Sequence, residues 1–139
     1  MAQSVKEVMT PNPVTLPATA TVEEAARAMR DRGIGGVVVL EKDKVCGIVT
    51  DRDITVRTVA EGQDPKGTKL GQICSKDVTA LAPKDSVDKA VKLMREKSVR
   101  RLPVVDGGKP VGMVSIGDLA VERDDKSALA DISAAPPNN

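Results

Sequence analysis

Apolar residues recur at helical spacing from position 22. Val22, Ala25, Ala26 and Met29 fall at i, i+3, i+4 and i+7, one stripe of an amphipathic helix. Thr21 ahead of the stripe and Glu24 three residues later have the spacing of a capping box, which sets where that helix begins. The period then changes. Val37 to Leu40 is a short β-branched run, Glu41 to Lys44 is polar, and Val45 to Val49 is apolar again, a pattern that predicts a β-hairpin. Upstream, Val14-Thr15-Leu16 predicts a short strand, with an amphipathic turn at Val5 to Met9 before it. Downstream, Thr50-Asp51-Arg52-Asp53 opens another helical stretch.

The same pattern then occurs a second time. Thr21 to Ile54 maps onto Ser86 to Leu119 at an offset of 65 residues without a gap. Ser86 precedes the stripe Val87, Ala90, Val91 and Met94; the strand runs are Leu102 to Val105 and Val111 to Val114; and Ser115-Ile116-Gly117-Asp118 stands where Thr50 to Asp53 stands in the first copy. Val78-Thr79-Ala80 and Leu70 to Cys74 repeat the upstream strand and turn. Of the two hairpin turns, Asp106-Gly107-Gly108 carries the stronger signal, because glycine tolerates positive φ. Each copy reads as (α)βαββα, an α/β (α+β) chain. Two units each too small to bury their own apolar face should pack around a pseudo-two-fold axis, and any site then exists twice. The expected organisation is a first repeat over 1–62, a connector over 63–69, a second repeat over 70–126 and a flexible tail over 127–139. The connector lies in the polar, Gly/Pro-containing stretch Ala60 to Lys69.

Composition narrows the chemistry. The 139 residues are 40% hydrophobic and include 21 basic and 20 acidic side chains, so no net field draws the chain to nucleic acid or an anionic membrane. No apolar run approaches membrane-spanning length and the start lacks a signal-peptide layout, so the expectation is a cytoplasmic protein with no membrane or nucleic-acid partner. Phe, Tyr, Trp and His are absent. No ring is present to stack on a base, and without histidine there is no raw material for a zinc centre or a histidine-activated nucleophile. Cys46 and Cys74, the two cysteines, have no metal-type spacing and read as reduced, buried thiols rather than redox groups.

The candidate chemistry lies in the repeated G-h-V-[T/S]-x-x-D motif, where h is apolar: Gly47 to Asp53 and Gly112 to Asp118. In one reading it is only a capping box, hydroxyl and carboxylate each closing the start of a helix. In the other, the same helix start receives a phosphate, with Thr50 or Ser115 as an added donor, while Asp53 or Asp118 accepts hydrogen bonds from vicinal ribose hydroxyls. The spacing alone favours the cap.

Taken together, MTPNPVTL, VEEAARAM and GIVTDRDI in the first copy, and DVTALAP, VDKAVKLM, VRRLPVVD and GMVSIGDL in the second, resemble a tandem pair of CBS domains, the Bateman module, from Val5 to about Arg123. The resemblance implies two pseudo-symmetric βαββα units packed through their sheets, with two clefts between them, as in stand-alone bacterial-type CBS proteins. It implies an adenosine-containing ligand: AMP, ADP, ATP or S-adenosylmethionine. Position by position, Asp53 and Asp118 would hold ribose hydroxyls and Thr50 and Ser115 would meet phosphate or ribose. Val14, Leu16, Val37, Ala80, Leu81 and Leu102 would flank the adenine. Arg100-Arg101-Leu102-Pro103 matches the family's H-R-x-P stretch with arginine in place of histidine. Its basic pair reads either as phosphate ligands or as a solvated surface pair, and Pro103 suits a strand start on structural grounds alone. The first copy has Gly35-Gly36-Val37-Val38 there, so the two sites are expected to be unequal, with Arg52 and Arg57 as substitutes.

The resemblance implies a regulatory, non-catalytic module needing no cofactor, with the nucleotide as its regulatory ligand. It would signal through homodimer geometry or contacts with an unidentified protein partner. The alternative is a ligand-free homodimeric interaction module in which the T/S-x-x-D motifs are helix caps only.

Overall fold

The computed structural model describes residues 4–74 and 79–123. The elements follow the order α1 (Val5–Val8), β1 (Thr10–Pro11), β2 (Thr15–Pro17), α2 (Val22–Arg32), β3 (Gly36–Glu41), β4 (Lys44–Thr50) and α3 (Asp51–Ile54), the last continuing as a π-helical turn over Thr55–Val59. Then come α4 (Leu70–Ile73), α5 (Val87–Lys97), β5 (Arg101–Asp106), β6 (Lys109–Ser115) and α6 (Ile116–Arg123). The expected tail, 127–139, and Val78 lie outside the described residues.

The chain divides into two compact units, and these do not coincide with the sequence repeats. One unit combines residues 4–13 with 79–123; the other is 14–74. The leading helix of each copy thus belongs to the unit built from the other copy's hairpin. Main-chain hydrogen bonds show how. In the contiguous unit, the amides of Leu70 and Gly71 donate to the carbonyls of Ala20 and Ala18, and Thr21 bridges Lys69. In the other, Val5 and Lys6 donate to Asp85 and Pro83, and Ser4 bridges Ser86, the same contacts at the same offset. The stretch anticipated as a connector is packed onto α2. The Val22 and Glu23 amides, which have no partner within the helix, donate to the carbonyls of Thr68 and Pro65. Thr21 Oγ1 receives the Glu24 amide at 3.2 Å and the Glu24 carboxylate receives that of Thr21, completing the capping box.

Each unit contains a three-stranded sheet. In the contiguous unit β2 lies parallel to β3, and β3 pairs antiparallel with β4. In the other β5 and β6 form the equivalent hairpin and β1 pairs antiparallel with β6. Of the strand expected at Val78-Thr79-Ala80, the described Thr79 and Ala80 form no ladder pair; a single parallel bridge falls one residue later, between Leu81 and Val104, the counterparts of Leu16 and Val39. Both hairpins carry a register shift at the same place, between Val39 and Leu40 and between Val104 and Val105. Both turn through two residues of positive φ: Gly107 and Gly108 at 58° and 85°, but Lys42 and Asp43 at 53° and 64°.

Val22, Ala25 and Met29 of α2 pack with Val37, Val39, Val49 and Leu70 into one core; Ala26, expected in the stripe, is exposed at its edge. Val87, Ala90 and Met94 of α5 pack with Val5, Leu81, Leu102, Val104 and Val114 into the other. Burial of each such Val, Leu or Met contributes about 1.5–3 kcal/mol. Gly112 allows β1 to approach: a Cβ there would run into the Met9 Sδ.

Candidate functional site

The last residue of β4 is the N-cap of α3, and the last of β6 precedes α6, so each hairpin ends on a hydroxyl at a helix start. Thr50 is extended, at φ −108° and ψ 166°. Its amide donates to Asp53 Oδ2 at 2.8 Å, and the Asp53 amide donates back to Thr50 Oγ1 at 3.1 Å. Ser115 and Asp118 repeat the pair at 2.9 and 3.1 Å. Both motifs are therefore complete capping boxes. A carboxylate offers about four lone-pair positions and the cap takes one, so both half-buried aspartates retain acceptor capacity.

The two helix starts differ in their cations. In the first copy, Arg57 Nε lies 3.9 Å from Asp53 Oδ1, and Arg57 Nη1 donates to the Ile73 carbonyl at 2.9 Å. Asp53 thus faces an arginine anchored by the end of α4. Arg52 is exposed. In the second copy the position equivalent to Arg57 is Glu122. There the positive charge comes across the hairpin: Arg101 is the strand partner of Ser115, and the Arg100 carbonyl accepts the Ile116 amide at 2.9 Å. The equivalent first-copy positions are Gly36 opposite Thr50 and the Gly35 carbonyl accepting from Asp51. Arg100 is exposed and Arg101 half-buried.

The expected adenine-flanking residues divide by burial. Val37, Leu81 and Leu102 are core residues at 0%, 1% and 3% exposure, and Pro103 is buried, its carbonyl accepting the Leu81 amide. These four present almost no surface, main chain or side chain, to a ligand. Val14 and Leu16 are half-buried and Ala80 is exposed. The Val14 carbonyl accepts the Val38 amide, which sets Val14 at the end of the sheet where Thr50 caps α3. The hold of Ile73 on Arg57 had no signal in the sequence, because it joins a side chain to a backbone carbonyl 16 residues away. Among the described residues no group of three His, Cys, Asp or Glu could hold a metal ion, and no helix is long and apolar enough to cross a membrane.

Two hairpins ending in equivalent hydroxyl–carboxylate caps, on a duplicated α/β scaffold, define a tandem-repeat module. The chain belongs to the CBS domain family, which matches it over residues 5–58 and 70–124. It is similar to the CBS domain-containing protein YhcV of Bacillus subtilis, 38% identical over 134 residues that cover 94% of this chain and 95% of YhcV. Its fold is shared with a solved protein with CBS domains from Burkholderia ambifaria, at a TM-score of 0.82 and 32% identity over 89% of this chain and 96% of that one. It is shared too with the CBS domain pair of protein MJ0100, solved with 5′-methylthioadenosine and S-adenosyl-L-methionine, at a TM-score of 0.80 and 23% identity over 89% and 98% of the two chains.

Proposed function

We propose that the chain is a cytoplasmic regulatory sensor that binds an adenosine-containing nucleotide, AMP, ADP, ATP or S-adenosylmethionine, at its T/S-x-x-D helix starts, and has no catalytic role. The observation that carries this reading is the convergence in the second copy of Arg100, Arg101, Ser115 and Asp118 at one end of the β5–β6 hairpin. A ribose would donate its vicinal hydroxyls to the acceptor positions of Asp118 left by the cap, while the arginines compensate a phosphate. The second copy is the stronger site. In the first, Arg57 already faces Asp53 and two glycines replace the basic pair. CBS-domain membership supports the ligand class; the MJ0100 pair, at its low identity, supports the fold.

A homodimer is the proposed output. An apolar groove of about 350 Å³ between α5 and α6, lined by Val91, Met94, Val99, Ile116 and Leu119, leaves Ile116 half exposed and suits contact with a second copy. The same groove, with boxes complete as caps, is what favours the ligand-free interaction module as a second reading.

One measurement separates the two. The chain has no aromatic side chain, so absorbance at about 260 nm after gel filtration reports bound nucleotide directly. Calorimetry with AMP, ADP, ATP and S-adenosylmethionine should give saturable binding. No binding at millimolar ligand leaves the ligand-free module standing.

A further inference from the structure

The chain's two cysteines, 28 residues apart, meet within one unit: Cys46 Sγ lies 3.7 Å from Cys74 Sγ, and neither is in a disulfide. Cys46 is on β4, at the register shift: Val39 pairs with Gly47 and Leu40 with Val45, so Cys46 is the bulged residue without a strand partner. A bulge re-aims a side chain, and this one faces the residue that follows α4. The other unit supplies an internal control. Its equivalents of Cys46 and Cys74 are Val111 and Met9, both packed on the second core. Packing at this position is therefore met by an aliphatic and a thioether side chain, and the fold does not require thiols.

We propose that Cys46 and Cys74 form a reversible dithiol/disulfide switch, oxidised by low-molecular-weight disulfides of the glutathione class. The half-buried Cys46 reacts first; Cys74, at 5% exposure, resolves. The Cys46 thiolate attacks one sulfur of the oxidant, breaking its S–S bond and releasing one thiol to leave a mixed disulfide. The Cys74 thiolate then attacks the Cys46 sulfur and releases the second thiol. The protein loses two electrons and two protons, which end on the two released thiols. Closure brings the sulfurs nearer by about 1.6 Å, to bonding distance. The bond ties β4 to the end of α4, where the Ile73 carbonyl holds Arg57 against Asp53.

The test is incubation of the full chain with glutathione disulfide. Expected are an intact mass lower by two hydrogens without an adduct, a peptide map joining Cys46 to Cys74, reversal by dithiothreitol, and a melting temperature raised by roughly 10 °C. Cys74→Met, which installs the residue of the other unit, should trap a stable glutathione adduct on Cys46; Cys46→Val should leave the chain unreactive. A lasting adduct on the unaltered chain, cross-links between chains, or two thiols still titrating under excess oxidant overturns the switch. An effect of oxidation on nucleotide affinity rests on the function proposed above and is read separately by calorimetry, so the thiol chemistry stands or falls on the mass alone.

Discussion

Arg101 sits directly across the β5–β6 ladder from Ser115, the residue whose hydroxyl caps α6, and the equivalent pair in the first copy is Gly36 and Thr50. A cation on the strand beside a cap can act on the phosphate of a ligand without touching its nucleoside. Arg101→Ala should therefore weaken AMP or ATP by about tenfold or more and leave adenosine within about twofold. Asp118→Ala should weaken all three by roughly ten- to a hundredfold. Calorimetry of both variants checks the division; equal losses for adenosine and AMP in Arg101→Ala would remove the phosphate role.

Left-handed backbone is assigned unequally to the copies. The residue after α2 is Gly33, at φ 63°; its counterpart after α5 is Ser98, at φ 55°. Lys42 and Asp43 do in one hairpin what two glycines do in the other. A side chain in this region costs about 1 kcal/mol, so Ser98→Gly and Asp43→Gly should each stabilise the chain by about 0.5–1 kcal/mol in denaturant titrations. A loss of stability in both would contradict the backbone assigned to them.

Thr58 lies in the π-helical turn with its hydroxyl fully buried and, among the described residues, without a hydrogen-bond partner. An unsatisfied buried hydroxyl costs about 1–3 kcal/mol, so the isosteric Thr58→Val should raise stability by about 1 kcal/mol and the melting temperature with it. Destabilisation would show that the hydroxyl is satisfied.

Asp85 has its carboxyl held below the usual range, first by the Ala82 amide, which donates to it at 2.8 Å, and then by Lys89 at 3.3 Å; partial burial opposes both. The folded pKa is depressed, so its stabilisation is present above the unfolded value near about 4 and is lost as pH falls through the folded value. Asp85→Asn should be less stable than the parent at neutral pH, with the difference shrinking at acid pH. Melting curves at both pH values test it, and a constant difference would count against the titration.

The division into units makes a prediction about fragments. Residues 14–78 contain α2, the β3–β4 hairpin and the α4 docked on them; residues 1–62 contain the same hairpin without α4. The first fragment should unfold cooperatively in denaturant and the second should not. Circular dichroism compares them, and equal cooperativity would make the docking of α4 dispensable.

Local pattern was legible wherever a residue's role is set by its neighbours in sequence. The stripe around Val22, both hairpins and the Thr50 and Ser115 caps follow from spacings of a few residues. What escaped was non-local. Alignment equates α1 with α4 but says nothing about which copy each docks on. The register shift that turns Cys46 toward Cys74 leaves no mark in the sequence. The strand expected at Val78 to Ala80 had adequate apolar character, yet its described residues, Thr79 and Ala80, make no ladder contact, and the bridge to Val104 falls on Leu81. The Arg101–Ser115 juxtaposition needed the pairing register, which the motif does not carry.

The exchanged leading helices bear on how such a chain could arise. A single-repeat ancestor with these contacts would carry a helix that docks on the start of another copy's long helix and never on its own, so two chains would have to trade helices to complete either unit. Joining two such genes end to end turns that trade into an intramolecular one, and afterwards neither half can be deleted without stranding a helix of the other.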